Sequence, residues 1–153
     1  MLNQDYLDML SILNGEGVEF VVVGAYALAV HGFPRATGDL DILVAPTAEN
    51  SPKVLAGLKR FGAPTSGLAA DAFAEPGVVF QVGIAPRRID IITEIDGVPF
   101  REAAADATVV GVEGLQVPFL SKSNLIRNKQ ATGREKDRLD AEMLMGGEPK
   151  GAP

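Results

Sequence analysis

The chain has 153 residues, a formal net charge of −6 and no cysteine, and 46% of its residues are apolar. That length suits one compact domain with enough apolar side chain to bury a core; the lack of cysteine excludes disulfides and thiolate metal sites, and the acidic balance argues against a general nucleic-acid binder. No apolar run approaches the roughly 18 residues of a membrane span, and residues 1–10 carry Asp5 and Asp8 instead of a basic leader, so the sequence predicts a cytoplasmic protein without membrane association.

Leu2, Tyr6, Leu10 and Leu13 fall at helical spacing and predict an amphipathic helix over residues 2–13, ended by Gly15 and Gly17. Residues 18–23 read as a buried strand. Gly24 breaks it, Ala25 to Val30 suits a short helix, and His31-Gly32-Phe33-Pro34 closes that helix. Residues 39–44 read as a second strand ended by Pro46. Ser51-Pro52 suits a helix start, with serine as N-cap, and Val54, Leu55, Leu58 and Phe61 supply the apolar side.

Residues 62–77, rich in Gly, Ala and Pro, predict a loop. Strands follow at 78–82 and 88–92 around a turn at Gly83–Arg87, then at 107–112 and 115–119 around Glu113-Gly114. From Ser121 to about Met145 the pattern is helical with a break at Gly133, and residues 146–153 suit a disordered tail. The order α-β-α-β-α-β-β-β-β-α-α predicts a mixed α/β, or α+β, domain with a central sheet. We divide it into a core over residues 1–120 and a helical segment over 121–145.

Within this frame, Asp39 and Asp41 are the candidates for chemistry. Strand alternation points both to one face, while Leu40, Ile42 and Val44 point to the other. Two adjacent carboxylates at about 4 Å repel by roughly 4 kcal/mol, so such a pair calls for a cation or a shared proton. Asp90, flanked by Ile89 and Ile91, is positioned to add a third carboxylate. Oxygen-only donors favour a hard ion such as Mg2+, and three carboxylates suffice for two ions. Gly24, between a strand and a helix, lets backbone amides approach a phosphate.

Each of these has a plainer reading. Asp39 and Asp41 also suit an exposed strand start, Asp90 an ion pair with Arg87 or Arg88, and Gly24 a tight turn. Arg35 suits a bridge to Asp39 or Asp41 as well as a phosphate contact. His31, the one histidine, suits a local hydrogen bond at the helix end, and Thr37 a turn. Residues 122–138 hold six basic side chains, Lys122, Arg127, Lys129, Arg134, Lys136 and Arg138, opposed by Glu135 and Asp137. They form either a local anion-binding face or, with Asp140, a salt-bridged helix surface.

The ordered set Gly24-Ala25, Asp39-Leu40-Asp41 and Asp90 resembles the signature of the DNA polymerase β-type nucleotidyltransferase superfamily. The longer string Gly24-x-x-Ala27-x-x-x-His31-Gly32-x-x-Arg35-x-Thr37-x-Asp39-Leu40-Asp41 is similar to its AbiEii and MenT toxin-type branch. Arg134-x-Lys136-Asp137-x-x-Asp140 resembles that branch's C-terminal segment, and the likeness spans residues 18 to 145.

The resemblance implies a minimal nucleotidyltransferase that moves a nucleoside monophosphate from an NTP to an acceptor, which is RNA (the tRNA 3′ end), a protein or a small molecule. It implies that Asp39, Asp41 and Asp90 bind Mg2+ and that Asp90 also assists deprotonation of the acceptor hydroxyl. It implies that Gly24 and Ala25 cradle the β- and γ-phosphates, with Arg35 and one or more of Lys122, Lys129 and Lys136 near the triphosphate. It also implies a cognate toxin or antitoxin partner. Many superfamily members have Gly-Ser or Gly-Gly where this chain has Gly24-Ala25, so here the amides act without a serine hydroxyl.

Two alternatives remain: a degenerate nucleotide-binding, antitoxin-like module, and an antibiotic (aminoglycoside or lincosamide) nucleotidyltransferase. A haloacid dehalogenase-type phosphatase fits poorly, because Leu43-Val44 stands where that family has Gly-Thr.

Overall fold

The computed structural model describes residues 2–35, 38–84 and 86–146. The Thr37 turn and all but the first residue of the 146–153 tail therefore lie outside the described residues.

Helix α1 (Gln4–Gly15) starts where the Asn3 side chain accepts a hydrogen bond from the Tyr6 amide at 3.0 Å. Its buried stripe is Tyr6, Met9, Leu10 and Leu13. Strand β1 (Phe20–Val23) is buried throughout, and its β-branched run leads straight into α2 (Gly24–Val30). Strand β2 (Leu40–Val44) follows, then α3 (Ser51–Phe61). Ser51 is the first residue of α3 and not its side-chain cap: its hydroxyl donates to Ala70 O and accepts from the Phe73 amide, pinning the expected 62–77 loop to the helix.

Strands β3 (Val79–Val82) and β4 (Ile89–Ile92) precede α4 (Phe100–Ala105), a short helix absent from the expected order. Only Ala103 of α4 is buried, so it carries little apolar periodicity. Strands β5 (Thr108–Val112) and β6 (Leu115–Phe119) form the expected hairpin, with Glu113 and Gly114 both at positive φ, 49° and 84°. That is the twist a two-residue hairpin loop requires. Helices α5 (Lys122–Ala131), capped by Ser121, and α6 (Glu135–Gly146) flank the expected break at Gly133.

The six strands form one mixed sheet in the order β3-β4-β2-β1-β6-β5. β1 runs antiparallel to β2 and parallel to β6, and β2 runs parallel to β4. The observed architecture is therefore the mixed α/β class read from the sequence. Leu125 of α5 and Leu144 of α6 belong to the same apolar cluster as the sheet, so the helical pair packs on the common core. Among the described residues no helix is long and apolar enough to cross a membrane.

Candidate active site

The centre of the sheet carries the acidic side chains. In β2, Leu40 and Ile42 are fully buried on either side of Asp41, so alternation turns the Asp41 carboxylate to the opposite face. The parallel register sets Asp41 directly beside Asp90 of β4, and the antiparallel register sets Val23, the last residue of β1, on its other side. Asp41 and Asp90 lie within hydrogen-bonding reach of each other. Asp39, just before β2, reaches the same group through Arg88: the guanidinium donates to Asp39 Oδ2 at 2.8 Å and to Asp90 Oδ1 at 3.1 Å. Asp41 is thus adjacent to Asp90, and Arg88 joins Asp39 to Asp90.

This crowding has an electrostatic consequence. Burial, then the charges of Asp90 and Asp39, push the Asp41 carboxyl from 3.8 up to about 6, against the pull of Arg88. The adjacent tyrosines respond in the same sense. Tyr6 and Tyr26 meet edge to face with ring centroids 5.8 Å apart, and burial together with nearby acidic charge raises both phenols. The Tyr6 hydroxyl donates to the Arg88 carbonyl at 3.1 Å, tying α1 to the base of the site.

Gly24 sits at the junction of β1 and α2 with φ of +70°. A Cβ built there would lie 2.4 Å from Asp41 Oδ2. The glycine is needed to make room for a carboxylate, a role additional to the phosphate approach anticipated from the sequence.

A cavity of about 640 Å³ opens over this group. One wall is acidic: Asp39, Asp41, Glu94 and Asp96. Basic side chains line the cavity as well: Arg35, Lys129 of α5, Arg134 between the two helices and Lys136 of α6. Gly24 and Ala25 line its floor. Asp90 lies beneath Arg88 and does not line the cavity, and Lys122 is exposed elsewhere on α5.

Much of this basic lining is already paired. Arg35 forms an ion pair with Asp140 of α6, not with Asp39 or Asp41. Lys129 Nζ lies 3.1 Å from Asp137 Oδ1 and 3.2 Å from Asp140 Oδ2. The second contact is Coulombic only, because that buried oxygen of Asp140 receives no hydrogen bond. Burial would raise Asp137, but hydrogen bonds from Thr132, Lys129 and Arg134 outweigh it and hold the carboxyl below its ordinary value. Lys136 is exposed, lines the cavity and has no ion-pair partner among the described residues.

Sequence reading missed Glu94, Asp96 and Tyr6 at this site. It offered Arg88 only as a structural partner for Asp90, although residues two apart at a strand start share a face. His31 makes the local contact its position suggests, with Nε2 2.8 Å from Leu120 O.

Oxygen-only donors gathered on one face suit a hard divalent cation in chemistry, and the raised Asp41 marks negative charge that the protein leaves incompletely balanced. Among the described residues, however, no three acidic side chains are gathered closely enough to hold an ion as they stand. Arg88 spans two of them instead.

The sequence matches no family model and no curated protein. Solved structures do resemble the fold. One is a presumptive nucleotidyltransferase from Thermotoga maritima, 18% identical, with a TM-score of 0.58 over 95% of this chain and 94% of the other. Another is the lincosamide antibiotic adenylyltransferase LnuA with lincomycin bound, 14% identical, with a TM-score of 0.56 over 97% of this chain and 99% of the other. At such identities the likeness speaks to the fold, which this chain shares from end to end with proteins bearing nucleotidyltransferase names.

Proposed function

We propose that this chain is a metal-dependent nucleotidyltransferase. The observation that carries the reading is the in-register contact of Asp41 with Asp90 on the sheet, beside a cavity that Asp41 lines together with Arg35, Lys129, Arg134 and Lys136. Asp39, Asp41 and Asp90 would hold one or two Mg2+ ions, which supply positive charge for the reacting phosphate and the departing pyrophosphate. The triphosphate lies between this group and the basic side chains, with the Gly24 and Ala25 amides beneath it and Lys136, Arg35 and Lys129 alongside. An acceptor hydroxyl attacks the α-phosphorus. The new O–P bond forms as the bond to the β-phosphate bridging oxygen breaks, and the hydroxyl proton passes to Asp90, which Arg88 must first release. The 640 Å³ cavity is within the usual range of about 300–1,000 Å³ for small-ligand sites.

For the acceptor, the ion pairs favour a small molecule over RNA. Of the six cations in residues 122–138, Arg127 pairs with Glu102, Lys129 with Asp137 and Asp140, Arg134 with Asp137, and Arg138 with Glu135 and Glu142. Four of the six are thus neutralised within the protein and leave no broad basic face for a polyanion. Glu94 and Asp96 at the cavity add a wall that repels one. The likeness to a lincosamide adenylyltransferase points the same way. Transfer to a tRNA 3′ end, or to a protein as in a toxin–antitoxin pair, is the second reading.

The test is pyrophosphate release and label transfer with Mg2+ and each labelled NTP, offered tRNA, aminoglycosides and lincosamides in parallel. We expect transfer to a small molecule, lost in Asp41→Asn. Nucleotide binding without pyrophosphate release would favour the degenerate, antitoxin-like module instead.

A further inference from the structure

The side chain of Arg88 lies between two of the carboxylates assigned above to metal binding. It precedes Asp90 by two positions, so alternation puts both on one face. Its Nε is 3.1 Å from Asp90 Oδ1, while its Nη2 is 3.4 Å from Asp90 Oδ2 and 2.8 Å from Asp39 Oδ2. A single planar guanidinium thus joins carboxylates from two adjacent strands, using oxygens that a shared divalent ion would need. Like charges that would otherwise repel are held together.

The rest of Arg88 is built to let the side chain leave. Its carbonyl is fixed twice, by the Tyr6 hydroxyl at 3.1 Å and the Leu40 amide at 3.0 Å, so the backbone stays in place. Its side chain is 33% exposed, against 12% for Asp90. The guanidinium can therefore swing to solvent without stranding a buried charge, whereas the carboxylate it releases cannot.

We propose that Arg88 is a resident counter-cation: it latches Asp39 and Asp90 in the nucleotide-free protein and is exchanged for the divalent ion, so that it sets the metal affinity of the site. This rests on the nucleotidyltransferase reading. The latch keeps the acidic group assembled without metal and weakens the binding of metal alone, which favours arrival of the ion together with a triphosphate.

The test is Mn2+ binding by the full chain, measured by calorimetry and by the electron paramagnetic resonance of free Mn2+, with and without ATP. Wild type is compared with Arg88→Gln, and Asp41→Asn serves as the control that removes the site. We expect Arg88→Gln to bind Mn2+ alone about tenfold more tightly, the equivalent of removing a competitor worth about 1.4 kcal/mol. Its melting temperature should fall without metal and recover more with Mn2+ than wild type does. If Arg88→Gln does not fold, Arg88→Lys keeps a charge but not the fork, and should bind about threefold more tightly. Equal or weaker Mn2+ binding by the folded variant overturns the latch and leaves the nucleotidyltransferase reading standing. No Mn2+ binding by any form, with or without ATP, overturns both.

Discussion

Two groups of aspartates lie near the cavity, one at the sheet and one on α6, and the protein treats them in opposite ways. On the sheet, Asp39, Asp41 and Asp90 are gathered with Arg88 bridging two of them, and Asp41 is pushed up to about 6. On α6, Asp137 and Asp140 are more deeply buried and are met by Arg35, Lys129, Arg134 and Thr132, and Asp137 is held below its ordinary value. The α6 pair is tied by ion pairs to α5 and to Arg35, with Asp140 Oδ2 left without a hydrogen bond. In the sheet group, burial and the neighbouring carboxylates disfavour the ionised form of Asp41, the kind of perturbation the proposed metal site would relieve. The two carry opposite pH signs. Asp41 has a raised pKa, so its contribution to stability is complete below 3.8 and lost as the pH rises through about 6. Asp137 has a lowered pKa, so its contribution is present above the ordinary carboxylate range and lost as the pH falls below it.

The sharpest way to break this contrast is Asp41→Asn. On the sheet, losing a charge should abolish chemistry and not harm the fold. We expect transfer to fall by at least about a thousandfold, about 4 kcal/mol of transition-state stabilisation, in a pyrophosphate-release assay. Without metal, the variant should match wild type near pH 4 and exceed it above pH 6 by at most about 3 kcal/mol, read from denaturant melts at several pH values. A variant less stable than wild type at pH 7.5 would show that the sheet group is a structural network after all.

The matching change on α6 is Asp140→Ala, and its effect should fall on stability. Asp140 is 4% exposed and neutralises two cations, Arg35 and Lys129. Breaking a buried pair costs about 3–5 kcal/mol, and Arg35 can relax towards solvent, so a loss of about 3 kcal/mol is expected in urea melts. Arg35→Ala should cost less, because Lys129 remains beside Asp140. Equal losses would mean that Arg35 is the sole effective partner.

These two groups were not equally legible in the sequence. For the sheet group, strand alternation puts Asp39 and Asp41 on one face and an apolar frame singles out Asp90, while their union in one site came from the family resemblance. The α6 group was read only as a charged helix surface. Its key contact joins Arg35 to Asp140, 105 positions apart, and no periodicity reports a pairing at that distance. Local reading failed elsewhere for similar reasons. Helix α4 escaped because it is six residues long, half of them alanine, and buries one side chain. The Ser51 hydroxyl was assigned to a cap, yet it serves the loop at Ala70 and Phe73, a tertiary contact that overrides the usual cap preference.

Gly24 tests whether the sheet group depends on space as well as charge. Alanine at φ +70° costs about 1–2 kcal/mol from backbone strain alone. Its Cβ, 2.4 Å from Asp41 Oδ2, must also push the carboxylate aside. A displacement near 1 Å at a reacting centre is worth about a hundredfold, so Gly24→Ala should lower kcat by about that factor with a modest stability loss. If activity falls no further than the stability loss explains, the glycine serves the turn alone.

The smallest effect comes from the one cavity lysine that neither group claims. Lys136 is exposed and has no ion-pair partner among the described residues, unlike Lys129 a few ångströms from two carboxylates. An exposed side chain without an ion-pair partner contributes little to folding, so Lys136→Ala should leave the unfolding free energy within about 0.5 kcal/mol of wild type. If its charge faces a bound triphosphate, the KM for nucleotide should rise about tenfold with kcat nearly unchanged, the mark of binding that is equal in ground and transition states. Lys129→Ala should do the reverse in proportion, weakening the fold first, since it strands Asp137 and Asp140. An unchanged KM in Lys136→Ala would assign the basic lining entirely to the α6 aspartates, and the triphosphate would then have to be met by the backbone of Gly24 and Ala25 without a lysine.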